Sequence, residues 1–252
     1  MTATVHPAGC TPSRIVVLSD VHEDLDGIAA VAPALAAADL VILAGDLTRR
    51  GGREAARRVV EAVRRHAKAV LAVHGNCDRP EALAYLEDEG LSLHRRAVRL
   101  GDLAIFGVGG SNLTPMRTPS EYPEDDLARF LAEAAAAADA TGAQQRLAVV
   151  HCPPRGTALD RMFLGLHVGS TAVRDFLARA QPDASVSGHV HESRGAVRLG
   201  RTLAVNPGGF TAHWRYADLT LGAAGFRAEL RQSAARPSRI ARAVSLLHRV
   251  TS

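Results

Sequence analysis

Five apolar segments of the chain are each followed closely by side chains that can donate oxygen or nitrogen to a metal ion. The donors at the ends of these predicted strands are Asp20, His22, Asp46, Asn76, His151, His189 and His191. Ligand sites in α/β folds form at the carboxyl ends of strands, so we expect these side chains to converge at one edge of a sheet. His189 and His191 strengthen this expectation, because residues i and i+2 of an extended chain point the same way.

The donor types favour a pair of divalent metal ions. Carboxylate, amide and imidazole donors suit Mn²⁺, Fe²⁺ or Zn²⁺, whereas structural zinc sites are typically built from thiolates. Seven donors are too many for one such ion, but a bridging Asp46 gives each of two ions four protein donors. Two ions about 3.5–4 Å apart can activate water and stabilise an in-line displacement at phosphorus. We therefore expect two divalent ions, with Mn²⁺ favoured.

Residues 75–78, Gly-Asn-Cys-Asp, place a thiol among these donors. The donor set is complete without Cys77, and activated water makes a second nucleophile unnecessary. We predict instead that Cys77 lines the substrate site and that Asp78 caps the helix that begins at residue 79. Asn112 and Arg155 are predicted to contact the substrate, with a plain surface position as the alternative for Arg155. These assignments predict a site shaped for a small anionic substrate.

The elements that position these residues alternate in the first part of the chain. Short β-branched runs are separated by helical patterns, at 14–18, 25–38, 39–45, 53–67, 69–73 and 79–90. This β-α order predicts right-handed crossovers and a parallel sheet. Pro33 is expected to kink or divide the first helix. His74, which stands at the end of the third strand, is predicted to lie in the core, and nothing indicates a metal role for His94.

The second part of the chain is expected to contain more antiparallel pairs. A Gly-Asp turn predicts a hairpin within residues 97–110. Helices are predicted at 125–140 and at 170–180, the latter capped by Ser170. Further strands are predicted at 146–150, 184–188, 195–199, 202–206, 214–221 and 226–231.

No repeat or clear linker divides the chain. We expect a flexible tail at 1–13, one domain at 14–232 and a C-terminal tail at 233–252 that contains an amphipathic helix at 238–250.

The composition of the chain limits the kinds of protein that it can be. The 252 residues carry a net charge of +4 and a single lysine, so arginine supplies the positive charge and favours anionic substrates. Cys10, Cys77 and Cys152 are too far apart in sequence for a Cys-x-x-Cys zinc pair and do not form a disulfide framework. No signal-peptide pattern and no membrane-length apolar run is evident. We expect a cytoplasmic protein without a membrane partner, and the oligomeric state stays open.

The complete pattern resembles the signature of the calcineurin-like metallophosphoesterase superfamily. The motifs are Asp20-x-His22, Gly45-Asp46, Gly75-Asn76-x-Asp78, His151 and Gly188-His189-x-His191. The last two segments look most like those of small bacterial and archaeal phosphodiesterases. The resemblance implies an α/β fold, a four-layer αββα sandwich of two mixed β-sheets flanked by helices. It implies one metal ion held by Asp20, His22, Asp46 and His191, and another held by Asp46, Asn76, His151 and His189.

Many members of this superfamily carry a histidine at the position of Cys77, and that histidine is thought to protonate the leaving oxygen. A neutral thiol is a poor general acid, so its presence departs from the commonest form. We expect a phosphoesterase that hydrolyses small phosphodiesters or nucleotides by attack of a metal-bridging hydroxide. Asp46, Asn76 and His189 are its predicted catalytic residues.

Two alternatives stay open. One is a phosphomonoesterase, including a protein phosphatase, and the other is a scaffold protein on the same fold. We do not expect a nucleic-acid substrate, because the basic helix at 53–67 is typical of a solvated surface.

Overall fold

Two β-sheets packed face to face form the centre of residues 10–233, which are the residues described by the computed structural model. The strands are β1 (Arg14–Leu18), β2 (Leu40–Ala44), β3 (Val70–Val73), β4 (Arg96–Leu100), β5 (Leu103–Val108), β6 (Ser111–Asn112), β7 (Glu121–Tyr122), β8 (Gln145–Val150), β9 (Ala184–Val186), β10 (Gly195–Leu199), β11 (Thr202–Asn206), β12 (Arg215–Gly222) and β13 (Gly225–Gln232). The helices are α1 (Leu25–Ala30), α2 (Ala32–Ala37), α3 (Arg53–Arg64), α4 (Pro80–Asp88), α5 (Glu124–Asp139), α6 (Thr171–Ala180) and α7 (Phe210–His213), with a 3₁₀ turn at Phe163–Gly165.

The strand order confirms two mixed sheets. The first sheet runs β13-β12-β1-β2-β3, with β1, β2 and β3 parallel as the β-α alternation predicts. The second runs β10-β11-β9-β8-β5-β4, with a parallel centre and antiparallel hairpins at both edges. The predicted hairpin within 97–110 is β4-β5.

The fold has four layers because the strands place side chains on both faces of each sheet, one face toward the helices and one toward the other sheet. In β1, Val16 and Leu18 pack toward the helices, whereas Ile15 and Val17 pack toward the other sheet. Successive side chains of a strand point to opposite faces, so a strand buried on both faces is a continuous apolar run. Helices α1 to α4 and α7 cover the first sheet, and α5 and α6 cover the second. The four-layer αββα sandwich is therefore confirmed.

Local signals explain several helix ends. The predicted helix at 25–38 is divided into α1 and α2 at Val31, and Pro33 lies in the first turn of α2, where its missing N–H costs no hydrogen bond. The Ser170 side chain accepts from the Val173 amide at 3.2 Å, which confirms the predicted cap of α6. Among residues 10–233, the helices are too short or too polar for a membrane crossing. The predicted helix at 238–250 lies outside the described residues.

Candidate metal centre

All seven predicted donors lie at the carboxyl ends of strands, along the edge where the two sheets meet. They follow β1 (Asp20, His22), β2 (Asp46), β3 (Asn76), β8 (His151) and β9 (His189, His191). Backbone hydrogen bonds hold neighbouring loops together, for example from the Asp20 amide to the Gly45 carbonyl at 3.0 Å. The Gly188 amide similarly donates to the His151 carbonyl at 2.9 Å and joins two loops of the second sheet.

One half of the site contains Asp20, His22 and His191. The Nε2 atom of His191 lies 3.2 Å from Oδ1 of Asp20 and 3.4 Å from Nε2 of His22. The three ligand atoms lie within 4.8 Å of one another. This half is open toward solvent, because 43% of the His191 side chain is exposed.

The other half contains Asn76, His151 and His189 and is more deeply buried. Oδ1 of Asn76 lies 3.0 Å from Nε2 of His151 and 2.7 Å from Nδ1 of His189. The Nδ2 group of Asn76 donates to Oγ1 of Thr118 at 2.8 Å, which turns the amide oxygen toward the two imidazoles. Sequence reasoning missed Thr118, because nothing in its surrounding loop indicates a contact with a residue 42 positions away.

Asp46 lies between the two halves, and its carboxylate oxygens face in different directions. Oδ2 lies 3.8 Å from Nε2 of His22, whereas Oδ1 lies 3.5 Å from Nε2 of His151. Asp46 also groups with Asp20 and His151 as potential donors within 4.8 Å. One carboxylate is therefore positioned to serve both halves.

The imidazole contacts test whether this donor set fits divalent metals. Nδ1 of His22 lies 3.1 Å from the Thr48 carbonyl oxygen, and Nδ1 of His151 lies 2.8 Å from that of Ala44. A carbonyl can only accept, so each Nδ1 carries the hydrogen and each Nε2 presents a lone pair to the centre. Histidine ligands of metals are commonly fixed in this way by a partner on the other ring nitrogen. The donor atom types fit divalent ions, and so do the tautomers of His22 and His151.

The two halves differ in electrostatics. The hydrogen bond to Asp20 raises the pKa of His191 to about 9. Burial by itself raises the pKa of Asp20, but the hydrogen bond and charge of His191 outweigh it and hold the pKa well below its usual range. Burial, followed by the charge of His151, lowers the pKa of His189 to about 4. Without a metal, His191 therefore keeps its proton at pH values at which His189 has lost its own.

Close backbone packing explains why glycines precede several of these donors. A Cβ on Gly75 would overlap the carboxylate and backbone of Asp46, and one on Gly188 would overlap the Ser19 hydroxyl. Asp46 and His189 themselves adopt left-handed backbone conformations, with φ of 51° and 66°. Non-glycine residues in this region are uncommon and are concentrated at functional sites.

Asp78 corrects one sequence expectation. Helix α4 begins after Arg79 without a side-chain cap, so the prediction that Asp78 caps it is wrong. The buried carboxylate instead accepts from the backbone amides of Gly75 at 2.8 Å and Thr48 at 2.8 Å. It thereby links the loops that carry Asn76 and Asp46. Burial, followed by the charge of Asp46, raises the pKa of Asp78 to about 6.

Cys77 lies at the edge of the same centre. Its backbone amide donates to Oδ1 of Asp46 at 2.7 Å, and its sulfur lies within 4.8 Å of ligand atoms of His22 and Asp46. Burial, followed by the charge of Asp46, raises the pKa of the thiol. The sulfur is therefore a neutral group in the site before any metal is bound.

The structure places the other two substrate-binding candidates near the loop that follows His151. Asn112 donates from Nδ2 to the Val168 carbonyl at 3.3 Å, and its Oδ1 accepts from the Cys152 thiol at 2.9 Å. Arg155 is half-buried, and its backbone amide donates to the Ser170 carbonyl at 3.0 Å. Substrate contacts by both residues stay predictions.

A cleft opens beside the exposed half of the site. Its volume is about 470 Å³. It is lined by His22, Glu23, Asp24, Leu25, Asp26, Arg49 and Thr211. The lining carries three carboxylates and one arginine, and Arg58 pairs with Glu23 at 2.7 Å.

Comparisons with known proteins agree with the geometry. Residues 13–193 match the family model described as calcineurin-like phosphoesterase. The uncharacterized protein MJ1162 of Methanocaldococcus jannaschii is 32% identical over 199 residues, which cover 77% of this chain and 87% of that protein.

Solved structures share the fold at lower identity. TT1561 of Thermus thermophilus superposes with a TM-score of 0.61 at 18% identity, over 88% of this chain and all of that one. The purple acid phosphatase PPD1 of yellow lupin superposes with a TM-score of 0.56 at 14% identity, over 90% of this chain and 52% of that one. At these identities the likeness concerns the fold alone.

Proposed function

Because the chain belongs to the calcineurin-like phosphoesterase family, whose members are metal-dependent, we propose that it hydrolyses small phosphodiesters or nucleotides at a dinuclear metal centre. The observation that carries this proposal is the position of Asp46. Its two oxygens face His22 and His151, which belong to different halves of the site. A carboxylate placed in this way can bridge two ions, whereas a single ion would need only one half.

The proposed ligands follow the same division. Asp20, His22, Asp46 and His191 would hold one ion, and Asp46, Asn76, His151 and His189 would hold the other. Mixed oxygen and nitrogen donors favour Mn²⁺, with Fe²⁺ and Zn²⁺ as further candidates. When bound, such ions supply Lewis acidity toward phosphoryl oxygens and lower the pKa of water.

The protein's own residues orient this centre. The Thr48 and Ala44 carbonyls fix the tautomers of His22 and His151, and Thr118 fixes the amide of Asn76. Asp78 links the loop that carries Asp46 to the loop that carries Asn76, because its carboxylate accepts from the backbone amides of Thr48 and Gly75. Loss of a residue that orients a metal ligand in this way typically costs about 10- to 100-fold in metal affinity or activity.

Cys77 favours substrates with good leaving groups. Its thiol is a weak hydrogen-bond donor, so it provides little general acid catalysis. General acid help is typically worth about 10²–10⁴ in rate, and its absence matters most when the leaving oxygen is strongly basic. We therefore propose a phosphodiesterase that cleaves aryl diesters well and alkyl phosphomonoesters poorly.

A leaving-group series tests this function. Rates are measured with Mn²⁺ for aryl and alkyl phosphodiesters and monoesters, with metal content determined in parallel. The enzymes are the wild type, Cys77→Ala and Cys77→His, with Cys10→Ala as the control that removes an exposed thiol elsewhere. We expect two ions per chain and a steep dependence of rate on leaving-group pKa. Cys77→Ala should keep substantial activity, and Cys77→His should raise the rate on poor leaving groups.

The alternatives predict different results. Faster hydrolysis of monoesters than of matched diesters would assign a phosphomonoesterase. A purified protein that binds little metal and hydrolyses no ester would instead be a scaffold. Loss of nearly all activity in Cys77→Ala at full metal content would show that the thiol acts directly.

A further inference from the structure

Two arginines lie next to each other on the His191 side of the metal centre. Arg194 follows His191 by three residues, and Arg215 is the first residue of β12. The backbone of Gly208 packs between them, since a Cβ placed there would lie 3.0 Å from Cβ of Arg194 and 3.4 Å from Cδ of Arg215. The same point lies 3.0 Å from the His191 carbonyl oxygen. The next residue, Gly209, packs against the His191 ring, so this turn joins the arginine pair to the metal centre.

Neither guanidinium is neutralised within residues 10–233. The Nε atoms of Arg194 and Arg215 are buried and have no hydrogen-bond partner there. Burial, followed by the charge of Arg215, lowers the pKa of Arg194, and no carboxylate opposes this shift. Arginines elsewhere in the fold do find acids, such as Arg14, whose Nη2 lies 2.7 Å from Oδ2 of Asp218. Two adjacent, unpaired guanidinium groups repel each other and are expected to bind an anion.

The cleft beside the same half of the centre has a different balance of charge. The cleft beside His22 is lined by Glu23, Asp24 and Asp26, with Arg49 as its one arginine. Glu23 is itself paired with Arg58 at 2.7 Å, whereas Arg194 and Arg215 have no acidic partner within residues 10–233, so the arginine pair is the stronger attraction for an anionic group. Gly208 and Gly209 connect the arginine pair to His191, and the His191 side chain is 43% exposed, so this part of the centre is open to a ligand.

We propose that Arg194 and Arg215 bind a second phosphate group of the substrate, beyond the phosphate that is hydrolysed. The planar guanidinium fork matches the oxygens of a phosphate and binds them through paired, charge-assisted hydrogen bonds. The substrate is then a phosphodiester that carries a further phosphoryl group, and a nucleoside bisphosphate serves as a binding probe for the two phosphate positions. The inference rests on the proposed function for the position of the first phosphate.

A matched pair of ligands separates the two sites. Adenosine 5′-monophosphate and adenosine 3′,5′-bisphosphate differ by one phosphate, and the dissociation constant of each is measured by calorimetry on the Mn²⁺-loaded full chain. We expect the wild type to bind the bisphosphate at least about tenfold more tightly than the monophosphate, because hydrogen bonds between charged groups contribute binding free energy of that size. Arg194→Gln/Arg215→Gln should abolish this preference and leave the affinity for the monophosphate unchanged.

The control removes the same charge elsewhere. Arg198→Gln/Arg201→Gln changes two arginines at the far end of the β10-β11 hairpin and should keep the preference. If the double variant at Arg194 and Arg215 does not fold, Arg194→Gln alone should lose most of the preference.

Three results would overturn the inference. They are a wild type without preference for the bisphosphate, a preference that persists in Arg194→Gln/Arg215→Gln, and an equal loss in the control. If the wild type binds neither nucleotide, the inference fails, whereas the proposed function is decided separately by the leaving-group series.

Discussion

The pair His74 and His94 and the pair His22 and His191 are similar in geometry, with ring centroids 4.8 Å and 5.3 Å apart. Their neighbours are different. His74 and His94 are buried against the aromatic rings of Tyr122 and Phe130. His22 and His191 face the carboxylates of Asp46 and Asp20.

The pKa of His191 accordingly differs from the pKa values of His74 and His94. Burial, followed by the charge of Arg95, lowers the pKa of His94 to about 4, and burial also holds the pKa of His74 well below its usual range. The hydrogen bond that His191 donates to the Asp20 carboxylate raises the pKa of His191 to about 9. The pairing of two imidazoles does not by itself make a metal site. Negative oxygen donors within reach of the rings distinguish the metal centre from the core.

The largest effect is expected when the carboxylate shared by the two halves is neutralised. Asp46→Asn should lower the occupancy of both ions and reduce turnover by more than about 100-fold. Loss of a residue that only hydrogen-bonds to a metal ligand typically costs about 10- to 100-fold, and Asp46 is itself a proposed ligand. Metal analysis and steady-state kinetics measure both quantities. Asp218→Asn, a buried carboxylate paired with Arg14, is the control and should retain both ions. Two ions per chain and normal rates in Asp46→Asn would contradict the bridging assignment.

A smaller effect, on the pKa of His191, is expected when the carboxylate of Asp20 is removed. In metal-free protein, Asp20→Asn should bring the pKa of His191 down from about 9 toward the ordinary value near 6.5. NMR titration of the imidazole resonances measures the change. The pKa of His94, about 4, should stay where it is and serves as the internal reference. An unchanged value for His191 would mean that Asp20 does not set the difference between the pairs.

The smallest effect concerns the pH dependence of stability. The neutral form of His94 is favoured in the fold, so only the unfolded chain gains a proton as the pH falls below about 6.5. The free energy of unfolding should therefore decrease by up to about 1.4 kcal/mol per pH unit from this group, down to pH about 4. Urea denaturation of the wild type and His94→Gln at pH 7, 6 and 5 measures the slope. Equal slopes in the two proteins would show that His94 does not contribute this pH dependence.

Much of the architecture could be predicted because its signals are local. The continuous apolar runs of β1 and β2 predict strands buried on both faces, and polar donors after them predict a site at the carboxyl edge. The prediction that His74 lies in the core is confirmed. Asp78 was assigned to the nearest helix for the same local reason, and that assignment is wrong because its partners include Thr48, 30 residues earlier in the chain.

The sequence by itself determined the kinds of donor atoms, their order and the strand ends that carry them, because these depend on residue type and on spacings of a few positions. Tertiary structure alone decided which oxygen of Asp46 faces His22 and which faces His151, and that Thr118 orients Asn76. It also decided that, in the part of the chain that the structure describes, Arg194 and Arg215 lie side by side without an acidic partner. Such contacts join residues far apart in the chain, and they depend on how the sheets pack, which no short-range pattern encodes.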